Sequence, residues 1–442
     1  MEKDLNSVSL DIVPPHVCEI MACLFRSGFH VWVVGGALRD MLSGRAPKDY
    51  DLATDAPADT IMKLFSRVIP VGIEHGTVRI HVDEGDIEVT TVAPPGWEGI
   101  LLDLDRRDFT MNALALSYPE GRLLDPHGGT EDLRRHLLKA VGNPRSRFKE
   151  DPLRILRAAR FKSAYGCRMD GRMTAAVKDE LAGLGKVAEE RMRDEMSKLL
   201  LGKFVIDAFE WMRRCGVLQK IMPELQSLVS SGSKRSYPFD PYRHTLYTVG
   251  NCPPRLTVRL AALLHRLDRR ESFGKRAATP RRPGSKLENH RVAQSLMKRW
   301  RLSGKQVREV SLLLNNLLPP KAVHWGDASL RCLMAEVGPD LMEDLLDLSH
   351  AHLLSQDRSK GLMHAFEVLR SRILRQTRLN PPLHISDLEV KGEDVMRILH
   401  LKPGPVVGEI LQAVLQRVLQ DPQFNRREAL MAYIQQRFNN DL

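Results

Sequence analysis

Two aspartates and a glycine pair lie within one short stretch of the chain, and these residue types suit phosphoryl chemistry. Residues 31–54 read VWVVGGALRDMLSGRAPKDYDLAT, in which Gly35 and Gly36 follow an apolar run. Asp49 and Asp51 come farther on, two positions apart. In a strand, residues i and i+2 point to the same face, so these carboxylates are expected about 6–7 Å apart. Oxygen donors of this kind, together with substrate phosphates, suit Mg²⁺, and the pair therefore predicts metal-assisted nucleotidyl transfer.

The glycine pair and Arg39 supply the phosphate-binding part of this prediction. A backbone without Cβ atoms can approach a triphosphate closely, and its N–H groups can bond phosphate oxygens. Arg39 follows after one helical turn and offers a charged fork for the same oxygens. An Asp-x-Asp pair alone is more often a solvated strand end, so the whole constellation between Gly35 and Asp51 favours catalysis.

The elements that must position these groups mix strands and helices. The apolar run at 31–34 predicts a buried strand, and residues 16–27 have apolar side chains at helical spacing. Further segments predict a helix at 58–65 and a β-hairpin at 76–82 and 87–91. Glu88 lies on the second hairpin strand. If that strand neighbours the strand of Asp51, Glu88 is a third acidic ligand for the metals; an exposed strand glutamate is the alternative.

The runs GGALRD and KDYDLAT resemble the signature of the class II tRNA nucleotidyltransferase and bacterial poly(A) polymerase family. The resemblance is strong over residues 30–200 and looser over 205–435. It implies an α+β N-terminal head with a polymerase-β-like nucleotidyltransferase sheet, followed by an all-α neck, body and tail. The expected boundaries are 1–140 for the catalytic head, 141–204 for the neck, 205–330 for the body and 331–442 for the tail.

The family resemblance also assigns roles to individual residues. It implies that Asp49 and Asp51 are catalytic and bind two Mg²⁺ ions, one activating the RNA 3′-hydroxyl and the other steadying the triphosphate and pyrophosphate. Asp151 and Arg154 are expected to present a fixed Asp–Arg pair that imitates the edge of a base and selects the nucleotide. The full set of nucleotide-binding residues implied is Gly35, Gly36, Arg39, Arg107, Asp108, Asn112, Asp151, Arg154, Arg157 and Arg160.

The stretch around Asp151 can also be read without the family. Glu150 and Asp151 suit the first turn of a helix, where Pro152 is tolerated. Asp151, Arg154 and Arg157 are three residues apart and would share one face, which could equally be a salt-bridged solvent face. The segment EERMRDEMSKLL at 189–200 resembles a later family motif, which is expected to brace the neck.

The helical body resembles, loosely, a His-Asp phosphohydrolase domain. Such a domain needs an adjacent His-Asp pair to bind metal, whereas here Arg266 follows His265 and Asp268 comes too late. His244 and His265 are therefore expected to be core or surface residues. The basic segment at 271–288 is expected to be a surface loop that either touches RNA phosphates or is simply solvated.

Composition limits the class of protein. The chain has 442 residues and a formal net charge of +11, which favours a polyanionic partner. Its six cysteines form no C-x-x-C motif and no regular pattern with histidine, so neither a disulfide framework nor a structural zinc site is expected. An acidic N-terminus and the lack of an 18-residue apolar run predict a cytoplasmic protein without a membrane span.

Taken together, these features predict template-independent addition of C residues to the 3′ end of tRNA. The expected substrates are CTP, ATP and the tRNA acceptor arm with its 3′ end; no protein partner can be deduced. Only 14 residues separate Thr91 from Arg106. The family's CCA-adding members have a longer flexible loop there, so the short connector favours addition of CC over the whole CCA. The alternatives are a poly(A) polymerase, a non-catalytic RNA-binding protein and a His-Asp phosphohydrolase.

Overall fold

The computed structural model describes residues 8–47, 49–72, 76–229, 240–267, 290–356 and 359–438. The predicted basic loop at 271–288 and Asp268 therefore lie outside the described residues. The chain divides into two compact units, Met1–Met222 and Pro223–Leu442. Among the described helices, none combines the length and the apolar character needed to cross a bilayer.

A seven-stranded mixed sheet organises the first unit. Its order is β3-β4-β5-β2-β1-β6-β7. The strands are β1 (Val31–Val34), β2 (Tyr50–Thr54), β3 (Val68–Gly72), β4 (Thr77–Val82), β5 (Gly85–Thr91), β6 (Ala115–Tyr118) and β7 (Leu123–Leu124). Two short strands, β8 (Leu137–Leu138) and β9 (Arg168–Met169), form a separate parallel pair. The interior strand β1 is antiparallel to both of its neighbours, β2 and β6, whereas β2 and β5 are parallel.

At β1 the sheet is buried on both faces, because alternate side chains of this strand enter two different cores. Val31 and Val33 belong to one cluster, together with apolar residues of the first helices. Trp32 and Val34 belong to a second cluster, which includes Ile100. This two-sided burial explains why β1 is a continuous apolar run instead of an alternating one.

Eleven helices accompany these strands in the described part of the first unit. They are α1 (Pro15–Arg26), α2 (Gly35–Leu42), α3 (Ala58–Leu64), α4 (Trp97–Arg106), α5 (Gly129–Arg134), α6 (Pro144–Glu150), α7 (Leu153–Tyr165), α8 (Gly171–Glu180), α9 (Glu189–Leu200), α10 (Val205–Arg214) and α11 (Val217–Ile221). A 3₁₀-helix, Thr110–Asn112, precedes β6. The predicted hairpin and the helices at 16–27 and 58–65 are confirmed to within a few residues.

The second unit is helical throughout its described part. Its helices are α12 (Pro223–Gln226), α13 (Pro241–Asn251), α14 (Leu256–Leu264), α15 (Arg291–Arg299), α16 (Gly304–Asn316), α17 (Asp327–Val337), α18 (Pro339–Gln356), α19 (Lys360–Arg378), α20 (Gly392–Leu399), α21 (Pro405–Gln420) and α22 (Arg427–Phe438). The predicted class, a mixed head followed by an all-α remainder, is confirmed; the division into head, neck, body and tail stays a prediction.

The connector at 92–105, for which the sequence predicts no element, is mostly the helix α4, whose residues Ile100 and Leu104 are fully buried. One local prediction is wrong. Glu150 and Asp151 do not open a helix: Glu150 ends α6, and Asp151 lies between α6 and α7. The proline accounts for this break, because it disfavours helical backbone at the residue before it.

Candidate active site

The two aspartates predicted to be catalytic lie at the start of β2. The strand begins at Tyr50, one residue later than expected, so Asp49 is exposed just before it and Asp51 lies within it. Asp51 is paired in register with Val34 of β1 and Glu88 of β5. Neither aspartate carboxylate forms a hydrogen bond or an ion pair with another described residue. Both carboxylates are therefore available to a ligand.

The environment of Asp51 opposes its charge. Burial raises the pKa of Asp51 above its ordinary value, and the nearby Glu88 and Asp49 add to the rise. The positive charges of Arg107 and Arg39 act in the opposite direction. A cation bound at this position would relieve both the burial and the carboxylate repulsion. Two carboxylates without a hydrogen bond or ion pair to another described residue thus form a set of oxygen donors that fits a hard divalent metal.

Gly35 brings the backbone against these charged groups. Its φ of +70° is in the left-handed region, and α2 begins at this residue. A Cβ atom at Gly35 would lie 2.9 Å from the NH1 nitrogen of Arg107 and 3.5 Å from Oδ2 of Asp51. Glycine is therefore required here both for its backbone conformation and for the close approach of the two side chains.

Arg107 is the arginine best placed to bind a phosphate. Its Nε and NH2 nitrogens donate to Oδ2 of Asp103, at 3.0 and 2.7 Å. Its NH1 nitrogen forms no hydrogen bond with the described residues and lies against Gly35. The side chain is one quarter exposed, at 25%. Asp103 on α4 therefore holds the guanidinium in place and leaves one edge for an anion.

Glu88 lies opposite Asp51, because its strand β5 pairs with β2, which was the condition for a third acidic group near Asp49 and Asp51. However, its carboxylate accepts a hydrogen bond from Arg79 at 2.6 Å. Arg79 stands opposite it in the β4–β5 register. Ligation of a metal by Glu88 would have to compete with this cross-strand ion pair, which the sequence analysis did not foresee.

Arg39 is buried and its guanidinium is hydrogen-bonded within the protein, and its predicted role as a phosphate fork stays a prediction. Its guanidinium donates to Asp40 at 3.0 Å and to the amide oxygen of Asn112 at 2.7 Å. It also lies 4.7 Å from the centre of the Tyr165 ring. The Tyr165 hydroxyl in turn donates to Asp40 at 2.7 Å, and burial raises the pKa of Tyr165 to about 12. Arg39 thereby links α2 to the 3₁₀-helix and to α7.

Asp108 is a buried junction between the strands and α7. It accepts hydrogen bonds from the Phe109 backbone N–H, from the Asn112 amide and from Arg157. Although burial opposes its ionisation, Arg157 and Asn112 hold the pKa of Asp108 below the ordinary value. Asp108 and Asn112 therefore position α7 in this structure.

The proposed base readers, Asp151 and Arg154, do not bond to each other. Asp151 accepts from Arg191 at 3.0 Å and from the Leu153 backbone N–H at 3.1 Å. Arg154 donates to Glu150 at 2.9 Å and to the Arg106 carbonyl at 3.1 Å. Each residue is thus held by a separate partner on a neighbouring element, and the reading of a base by this Asp–Arg pair stays a prediction.

Arg157 and Arg160 are also held within the unit. The carboxylate of Glu195 lies 3.1 Å from Nε of Arg160 and 3.8 Å from NH1 of Arg157. Glu195 is buried on α9, so this helix braces α7, as expected for the segment at 189–200. In this structure the two arginines have carboxylate partners, and any contact with phosphate would be additional to them.

Three family models match the chain. The model of the poly(A) polymerase head domain matches residues 31–94 and 97–139. The model described as "Probable RNA and SrmB-binding site of polymerase A" matches residues 166–228. The model of tRNA nucleotidyltransferase domain 2 matches residues 286–434. The chain thus contains a poly(A) polymerase head domain and a tRNA nucleotidyltransferase domain 2, each identified by its own family model. The matched head model contains Asp49, Asp51, Gly35 and Arg107, the residues that the structure brings together.

Individual relatives of this nucleotidyltransferase extend over almost its whole length. The CCA-adding enzyme of Geobacillus kaustophilus is 29% identical, covering 95% of this chain and 96% of its own. The structure is similar to that of the Bacillus stearothermophilus CCA-adding enzyme in complex with CTP, with a TM-score of 0.76, 27% identity and coverage of 96% and 97%. A Thermotoga maritima CCA-adding enzyme complexed with tRNA has the same fold at a TM-score of 0.60, 19% identity and 96% coverage of both chains.

Proposed function

We propose that this nucleotidyltransferase adds the CCA end to tRNA, using CTP and ATP and releasing pyrophosphate. The observation that carries the proposal is the pair of uncommitted carboxylates, Asp49 and Asp51, beside the Gly35 turn and Arg107. Two relatives named CCA-adding enzymes, similar over nearly the whole chain, supply the substrate class. The net charge of +11 agrees with an RNA partner.

Asp49 and Asp51 are the residues that would hold Mg²⁺, and the ion would supply charge stabilisation to the attacking and leaving oxygens. Arg107 binds the triphosphate through the nitrogen that it turns towards Gly35. The N–H of Gly35 donates to the Leu114 carbonyl oxygen at 3.4 Å, so the start of α2 would add to phosphate binding through the N–H groups that follow it. Asp151 and Arg154, each held by its own partner, present an acceptor and a donor to the incoming base. The helices α2 and α7 are kept in position by Arg39, Asp108 and Asn112. Glu195 on α9 holds α7 as well, through its contacts with Arg157 and Arg160.

A second candidate, addition of CC only, is favoured by the connector. Between Thr91 and Arg106 the chain has few residues, and most of them form α4, which is packed into the core of the sheet. Gly99 allows this packing, because a Cβ atom there would lie 1.8 Å from the Pro94 carbonyl oxygen. A helix packed into the core has less freedom to move than the longer flexible loop of the CCA-adding members, and such movement is what a switch from C to A would require.

The test is incorporation of labelled CTP and ATP, separately and together, into three tRNA transcripts. One transcript lacks the CCA end, one ends in C and one ends in CC. A completed CCA end supports the proposal, whereas addition that stops after two C residues selects the second candidate. Long A tails on any RNA would identify a poly(A) polymerase and refute both.

A matched pair of variants tests the metal-binding aspartates. Asp51→Ala should abolish transfer and leave tRNA binding, measured by gel shift, nearly unchanged. Asp83→Ala removes an exposed carboxylate of the same unit, with a side chain 90% exposed, and should leave both properties intact. Retained transfer in Asp51→Ala would refute the assignment.

A further inference from the structure

Three histidines from distant parts of the second unit meet in its interior. His244 lies on α13, His265 follows the end of α14, and His352 lies on α18. Their potential ligand nitrogens all lie within 4.8 Å of one another. All three residues are buried, with exposures of 3%, 7% and 5%. The sequence predicts core or surface positions for His244 and His265, and it contains no motif that indicates His352.

The outward-facing nitrogen of each ring has an oxygen-bearing partner. Nδ1 of His265 lies 2.6 Å from the Ala262 carbonyl oxygen, and Nδ1 of His244 lies 3.4 Å from the Ser355 carbonyl oxygen. Nε2 of His352 lies 3.0 Å from the side-chain amide of Gln356. The amide atom at this distance is the nitrogen Nε2; rotation of the amide by 180° exchanges its nitrogen and oxygen, so Gln356 can accept a hydrogen bond from the N–H of this ring. In this arrangement each ring donates outward, as metal-binding histidines do.

The remaining nitrogens face one another. Nε2 of His244 lies 3.2 Å from Nδ1 of His352. Nε2 of His265 is buried and has no hydrogen-bond partner among the residues that the structure describes. Two nitrogens bound to one tetrahedral Zn²⁺ at about 2.0–2.1 Å lie about 3.3 Å apart. The distance between Nε2 of His244 and Nδ1 of His352 agrees with this value. A hydrogen bond between His244 and His352 would explain that distance equally well, but it would leave His265 Nε2 unexplained.

We propose that His244, His265 and His352 form a site for one divalent transition metal of the Zn²⁺ class. Three neutral imidazoles favour such an ion over Mg²⁺, which prefers oxygen ligands. They leave a fourth tetrahedral position open. The site is independent of the nucleotidyl-transfer chemistry in the first unit.

Metal binding to the full-length chain tests the proposal. After chelator treatment, and in excess Mg²⁺ to occupy oxygen-ligand sites, the wild-type protein should bind one equivalent of Zn²⁺ by calorimetry. Co²⁺ in its place should give the visible absorption of a four-coordinate ion. His265→Gln should weaken Zn²⁺ binding at least about 100-fold. This is because it removes a ligand itself, whereas loss of only the hydrogen-bond partner of a ligand already costs about 10–100-fold.

His350→Gln is the matched control, because this histidine lies on the same helix, α18, but is partly exposed and outside the cluster. It should bind Zn²⁺ like the wild type. Gln356→Leu gives a second test that leaves the three rings in place, and it should weaken binding about 10–100-fold. The proposal is overturned if the wild type takes up no Zn²⁺, or if His350→Gln loses as much affinity as His265→Gln.

Discussion

Replacing Gly35 by alanine perturbs the backbone and the placement of Arg107 at once. At φ +70°, an L-residue costs about 1–2 kcal/mol of folding free energy. The first unit contains 222 residues, and in a unit of that size 1 kcal/mol shifts Tm by about 2–4 °C. The variant should therefore unfold about 2–8 °C below the wild type.

The added Cβ atom should also displace Arg107, since its NH1 nitrogen lies 2.9 Å from the position of that atom. Loss of a charge-assisted hydrogen bond costs about 1.5–3 kcal/mol. If that contact is made to the triphosphate in the transition state, kcat/KM should fall about 10- to 150-fold. The assay is steady-state CTP incorporation into a tRNA transcript that lacks its CCA end, with Tm measured in parallel.

Gly28→Ala provides the matched control. Gly28 also has a left-handed φ, +89°, but nothing lies within 4 Å of the position of its Cβ atom. It should reproduce the loss of Tm and leave kcat/KM close to that of the wild type. Equal kcat/KM values for the two variants would show that the approach of Gly35 to Arg107 has no part in catalysis.

Two further variants probe individual carboxylates. Because the folded-state pKa of Asp51 is raised, its stability contribution is fully present below the unfolded pKa and is lost as pH rises through the folded one. In Mg²⁺-free buffer at pH 7, Asp51→Asn should thus be more stable to urea than the wild type. The difference should vanish below about pH 3.9. Equal stability of the two proteins at pH 7 would contradict this explanation. Asp108→Ala should lower the free energy of unfolding by about 2–4 kcal/mol, less than the 3–5 kcal/mol of a fully buried pair, because the Arg157 side chain is 35% exposed. In the same urea titration, the exposed control Asp83→Ala should stay within about 0.5 kcal/mol of the wild type, and a similar loss in both would refute the role of Asp108.

The parts of the site that the sequence predicted well are local in the chain. The strand β1, the turn at Gly35 and the Asp51 strand follow one another within about 20 residues, and periodicity with turn chemistry suffices to order them. The adjacency of Glu88 and Asp51 required only that a hairpin strand join the same sheet, and β5 does pair with β2. A family resemblance added the distant members of the set.

The parts that could not be predicted depend on contacts between remote positions. The hydrogen bond from Tyr165 to Asp40 spans 125 residues, and no local pattern signals it. The three buried histidines are likewise brought together only by helix packing. By contrast, the Asp103–Arg107 ion pair has i,i+4 spacing and could have been inferred once the connector was recognised as a helix.

The helix α4 also connects the two ends of the proposed nucleotide site. Asp103 on this helix holds Arg107, which is proposed to bind the triphosphate, and the carbonyl of its last residue, Arg106, holds Arg154, which is proposed to face the base. A small rotation of one rigid element would therefore move both contacts together. In the proposed function, a movement of α4 would therefore couple the position of Arg154 at the base to that of Arg107 at the triphosphate, whereas Asp151 is held separately by Arg191 of α9.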